Sequence, residues 1–231
     1  MLTILHGDNT VASRNQLVTL IEAAKQKGIR DIVRLDGKKI TTTDLIQATQ
    51  SASLFGNDRL VVIEQLFARP KSVQKDDLLS YLVDVQTDPH LADIIIWEEK
   101  LLTKTQTKKF ISAKIQEFKT TKLMFKFLES IRPDAAKQNL ELLTKTKQNE
   151  DPEFIFVMLI RQIRLLLQVK GQGSLKMAPW QLARLRSQAN LFNLSDLIKL
   201  HQKLLDLDHA LKTSHNSLSL SSALDILIAT I

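Results

Sequence analysis

The chain has 231 residues, 44% hydrophobic and 25% charged, with a net charge of +7, six glycines, five prolines and no cysteine. That composition excludes extended disorder, a disulfide framework, a zinc–thiolate site and a cysteine nucleophile. No apolar run reaches the length of a membrane span, and the opening "MLTILHGDNTVASR" lacks the basic-then-apolar pattern of a signal peptide, so a cytoplasmic location with no membrane partner is expected.

Short apolar runs alternate with helical patterns through the first half. "LTILH" (2–6), "DIVRLDG" (31–37), "RLVVIE" (59–64), "DIIIWEE" (93–99) and "AKIQEF" (113–118) read as five strands, and their near-continuous apolar character predicts burial on both faces. Amphipathic stretches near 13–27, 42–52, 74–86 and 104–111 separate them, which is the signature of a parallel sheet with helical crossovers. After Lys119 the strands stop. "DPEFIFVMLIRQIRLLLQVKG" (151–171) opens with Asp151 as N-cap and Pro152 at the first helical position, and is apolar over more than half its circumference, so it is expected at the centre of a helical domain. A later stretch places Leu197, Leu200, Leu204, Leu207 and Leu211 on one stripe, and a last helix is expected near 218–230. The expected organisation is an α/β domain over 1–120 and an all-α domain over 121–231.

The charge is uneven. Residues 1–100 sum to −2, residues 101–200 to +10 and residues 201–231 to −1. A basic middle is compatible with a surface facing nucleic acid and equally with a solvated, lysine-rich helix face.

The turn after the first strand is where a parallel α/β domain would hold phosphate, and it reads "HGDNTVASRNQ". Gly7 is present, but no glycine-lysine-serine/threonine follows, and Asp8 would repel phosphate. Glu64, after "LVVI", has the form of an acidic strand end that binds metal, a form too common to carry weight without the first motif. Glu98 and Glu99 are adjacent, so on a strand they face opposite ways and make no carboxylate pair. Asp206, Asp208 and His209 flank the leucine stripe, where solvent exposure explains them. The five histidines, His6, His90, His201, His209 and His215, show no compact ligand spacing. No catalytic residue, cofactor site or metal site is expected.

"ILHGDN", "SLFGNDRLVVIE", "DIIIWEEKLLTKTQTKKF" and "AKIQEF", followed by "DPEFIFVMLIRQIRLLLQVK", "LLDLDHALKTS" and "ALDILI", resemble in order and spacing the DNA polymerase III delta subunit of bacterial clamp loaders. The resemblance covers nearly the whole chain. It implies a five-stranded AAA+-like, P-loop-type sheet domain without a functional P-loop, followed by a helical collar. It also implies a non-catalytic component of the DNA-directed DNA polymerase III holoenzyme. Such a subunit joins the clamp-loader ATPase and delta-prime subunits through the collar, and it binds and opens the sliding clamp for loading on primed DNA. The absence of cysteine resembles delta rather than its zinc-carrying sister subunits. The family's helical lid between fifth strand and collar is missing, since "AKIQEFKTTKLMFKFLESI" runs from one straight into the other. The alternative is a stand-alone delta-like adaptor that binds protein or nucleic acid outside a ring.

"SASLFGNDRLVVIE" (51–64) places Leu54 and Phe55 between a helix end and a polar turn. From the residues alone, a core-capping role is the ordinary reading. Against it, neighbouring side chains on a helix diverge by about 100°, so both do not easily enter one core. The resemblance implies that Ser53, Leu54 and Phe55 form the tip that enters an apolar pocket on the clamp. Lys104, Lys108, Lys109, Lys114, Lys119, Lys122 and Lys126 are candidates for unspecific phosphate contact, while Phe110, Phe118, Phe125 and Phe127 have a spacing suited to core packing.

Overall fold

Strands in the first unit form where aliphatic and β-branched side chains run together between polar ends. A computed structural model of the protein describes residues 1–50, 59–88, 91–213 and 218–231. These divide into two compact units, Met1–Thr120 and Thr121–Ile231.

The first unit is a five-stranded, all-parallel sheet of β1 (Leu2–His6), β2 (Asp31–Asp36), β3 (Arg59–Glu64), β4 (Asp93–Glu98) and β5 (Lys114–Glu117), in the order β2-β3-β4-β1-β5. Helices α1 (Thr10–Gln26), α2 (Thr42–Gln50), α3 (Val73–Val85) and the single turn α4 (Lys104–Thr107) connect them. Side chains alternate across the sheet, as a period of two requires. Leu60, Val62, Ile95 and Trp97 pack with Leu17 and Ile21 of α1. Val61, Ile63, Ile94 and Ile96 pack on the opposite face with Leu45 of α2 and Leu78 and Leu82 of α3. The three central strands are buried on both faces, as their sequences predict. The expectation fails for β2 and β5, which are mostly half-buried or exposed. Both are edge strands, and Arg34, Asp36, Lys114 and Glu117 supply the charge that blunts an open edge.

The second unit consists of α5 (Lys122–Ser130), α6 (Ala136–Lys147), α7 (Pro152–Lys170), α8 (Pro179–Asn190), α9 (Leu194–Lys212) and α10 (Leu220–Ala229). α7 is central as expected. It buries Phe154, Ile155, Phe156, Leu159, Ile163 and Leu166, and it packs against the other five helices. Leu197, Leu200 and Leu204 of the leucine stripe are buried. Polar staples fix the periphery. Gln188 Nε2 donates to the carbonyls of Leu128 at 2.7 Å and Ile131 at 3.0 Å, satisfying the end of α5, and Lys147 Nζ reaches Asp225 at 2.7 Å to tie α6 to α10. Phe110 and Phe127 are core residues, but Phe125 is 43% exposed, against the packing role its spacing suggests.

Candidate functional site

The C-terminal ends of β1, β3 and β4 converge where an open parallel sheet ordinarily receives a ligand. Here that mouth is closed from inside. The Asn9 side chain caps α1 by accepting from Ala12 N–H at 3.0 Å, and Asn9 N–H donates to Phe118 O at 3.0 Å. Phe118 N–H donates in turn to His6 O at 2.8 Å, and Asp8 Oδ1 accepts from Thr120 N–H at 2.6 Å. Of the amides that a phosphate loop would aim at an anion, Asn9 N–H is thus engaged by the chain that follows β5 and Ala12 N–H by the Asn9 side chain. Gly7, at φ +150°, sits so tightly on this chain that a Cβ there would lie 1.8 Å from Phe118 O.

Behind the loop, the acidic strand end is neutralised. Arg14 of α1 donates to Glu64 at 2.6 Å, and Arg34 stands 3.8 Å from the same carboxylate. The Arg14 guanidinium also lies 3.5 Å from the centre of the Trp97 ring, whose Nε1 donates to Ser13 Oγ at 3.1 Å. Glu64 is therefore engaged in an internal ion pair. His6 and Glu98, register partners at the ends of β1 and β4, are both buried. His6 Nδ1 accepts from Leu102 N–H at 3.2 Å, and burial lowers its pKa. Glu98 accepts from Phe67 N–H at 2.6 Å, yet burial pushes its pKa up to about 7. No group of three or more His, Asp or Glu suited to a metal occurs among the described residues.

The sequence-predicted tip, Ser53, Leu54 and Phe55, lies outside the described residues. Its two stems are described, and they are stapled together. Arg59, the first residue of β3, donates to Asp31 at 2.6 Å and to the carbonyl of Ala48 in α2 at 3.0 Å. Thr49, buried in the last turn of α2, meets Tyr81 of α3 at 2.5 Å, and its carbonyl accepts from Ala92 N–H. The described residues on either side of 51–58 are thus anchored to the rest of the unit. The seven candidate lysines, Lys104 to Lys126, are all exposed.

One feature of the helical unit was not legible beforehand. α5, α7 and α8 enclose a groove of about 640 Å³, with Phe125 on one wall and Trp180 and Leu191 on the other. α8 carries no long apolar run to mark it out, and Pro179 at its first helical position is the one cue to its start.

A search of curated proteins finds no match to this sequence. Residues 121–229 match the family model described as DNA polymerase III delta subunit, C-terminal domain. The helical unit is delta-like. The matched stretch begins directly after the sheet, with only residues 118–120 between the end of β5 and its start. Among solved structures, the chain is similar to the Bacillus subtilis DNA clamp loader delta protein (YqeN), at 16% identity and a TM-score of 0.47, over 98% of this chain and 94% of that one. Among the described residues, no helix of either unit is long and apolar enough to cross a membrane.

Proposed function

We propose that this chain is a non-catalytic clamp-loader subunit of the DNA polymerase III holoenzyme, which binds the sliding clamp and opens it for loading on primed DNA. The match of residues 121–229 to the delta C-terminal domain carries this reading. In it, residues 121–231 are the collar that joins the ATPase and delta-prime subunits, and residues 1–120 are the clamp-binding domain. Ser53, Leu54 and Phe55 are its contact residues, in the segment whose flanks Arg59 and Thr49 anchor. Burying each of the two apolar side chains in a partner's pocket is worth roughly 1.5–3 kcal/mol, enough for the pair to dominate an interface. The internally satisfied phosphate turn supports a subunit that leaves hydrolysis to its neighbours. The exposed lysines between Lys104 and Lys126 are available to phosphates of DNA within an assembled ring.

The test is capture of the same organism's sliding clamp by the full chain, with Leu54→Ala/Phe55→Ala as comparison. The wild type is expected to bind, and the double variant to lose binding while melting at the same temperature. A double variant that melts like a core mutant assigns both side chains to the interior instead. A chain that binds no clamp and joins no ring with the ATPase and delta-prime subunits fits the stand-alone adaptor.

A further inference from the structure

The groove between α5, α7 and α8 lies wholly within the helical unit, and its rim combines features that a solvated surface avoids. Trp180 is 60% exposed and Leu191 57% exposed, at opposite ends of one face of α8. Met158 and Leu165 of α7 form part of the floor. Exposed tryptophan and arginine around an apolar trough are the residue types that dominate protein interfaces.

The charge on the rim has a direction. Glu129 is the sole acidic residue of the lining, and it is already paired with Arg184 at 3.3 Å. Arg184 also approaches the Trp180 ring, at 5.5 Å from its centre. Arg161, in the middle of α7, is exposed and has no ion-pair partner among the described residues. The lining thus keeps a surplus positive charge in a unit with 15 Lys+Arg against 10 Asp+Glu.

The walls decide the conformation of an occupant. Helical walls offer no row of unpaired backbone groups, so an extended peptide would leave its own amides and carbonyls unsatisfied. A helix satisfies its backbone internally and presents only side chains. From Trp180 to Leu191 the face of α8 runs for about 16 Å, the length of about three helical turns.

From these observations we infer that the α5–α7–α8 groove is a docking site for a short acidic amphipathic helix of a partner protein. Its aliphatic side chains enter between Phe125 and Trp180, and its carboxylates pair with Arg161 and Arg184. This goes beyond the clamp-loader reading and does not rest on it.

The experiment uses the full chain and two labelled, tryptophan-free synthetic peptides of about four turns, long enough to span the groove. Both carry leucines at i, i+3 and i+7; one has flanking glutamates, the other lysines at the same positions. Fluorescence anisotropy at low salt should show the glutamate peptide binding at least about tenfold tighter. Trp180→Ala and Leu191→Ser should each weaken it about tenfold, with circular dichroism melts unchanged, because both side chains are largely exposed. Arg161→Glu should shift the preference toward the lysine peptide, an effect that a merely structural role for Arg161 would not produce. Equal affinity for the two peptides, no binding of either, or indifference to Arg161→Glu overturns the proposal. So does sedimentation showing a dimer that Trp180→Ala dissociates, since the occupant would then be a second copy of this chain.

Discussion

Arg14 and Glu64 are bound to one another at 2.6 Å, across the place where a nucleotide-binding sheet would keep a catalytic acid free for metal. The arginine comes from the first turns of α1, the helix that in such sheets begins at the phosphate. One side chain thereby cancels the acid while lying over Trp97.

Arg14→Met should cost about 1–2 kcal/mol in urea denaturation, because the pair is partly solvated and loses both a charge-assisted hydrogen bond and a cation–π contact. It should not create a nucleotide site, because Asn9 N–H remains engaged by Phe118 O and Ala12 N–H by the Asn9 side chain. Magnesium–ATP is therefore expected to leave the melting temperature of both proteins unchanged; a rise in either would contradict the closed turn.

Gly7→Ala is expected to be among the most damaging single substitutions in the chain, at about 4 kcal/mol or more. Its Cβ would collide with the Phe118 backbone at a φ of +150°, so neither space nor conformation accommodates it. Equilibrium unfolding checks this, and a loss under 1 kcal/mol, within the range of an ordinary surface change, would mean that the β1 turn can lift off β5.

Glu98 makes stability fall as pH rises. The folded chain holds its proton up to about pH 7, whereas an unperturbed glutamate releases it near 4.5. The stabilising contribution is complete below about 4.5, is lost progressively above it, and is gone beyond about 7. The shift corresponds to roughly 3 kcal/mol. Glu98→Gln keeps an acceptor for Phe67 N–H, so it should match the wild type near pH 4.5 and exceed it at pH 8 by up to that amount. His6 acts in the other direction. Burial lowers its pKa, so stability is lost as pH falls below the ordinary histidine value of 6.5, where the unfolded chain takes up a proton first. His6→Gln should flatten that acidic limb, and unfolding curves between pH 4 and 9 separate the two groups.

Arg59→Met should cost about 2 kcal/mol, because it leaves Asp31 unpaired at a largely buried position and frees the Ala48 carbonyl. If residues 53–55 bind the clamp as proposed, the same substitution should weaken capture, since it releases one stem of the segment between α2 and β3. Unchanged affinity would place the contact elsewhere.

The sheet was legible because buried parallel strands write themselves as uninterrupted aliphatic runs: "LTILH", "RLVVIE" and "DIIIWE" fall on β1, β3 and β4. α7 was legible for a similar reason, with Asp151 and Pro152 marking its start. The edges were not, because burial on two faces is a property of neighbours rather than of "DIVRLD" or "KIQE" themselves. The defective phosphate turn could be read from missing residues, but not the substitute wiring, since Asn9–Phe118 and Arg14–Glu64 join positions far apart in the chain. Phe125 shows the limit of spacing arguments. It lies two residues from fully buried Phe127, a helical step of about 200°, and the two therefore face nearly opposite ways.

The Asn9–Phe118 clasp has a thermodynamic consequence. A sheet that binds nucleotide can be driven round a cycle, because hydrolysis makes its successive states irreversible. A sheet whose mouth is occupied by its own polypeptide has only equilibrium to obey, so its conformation follows whatever touches its surface and reverts when contact ends. If the chain is non-catalytic as proposed, such a unit transmits work done by others rather than originating any.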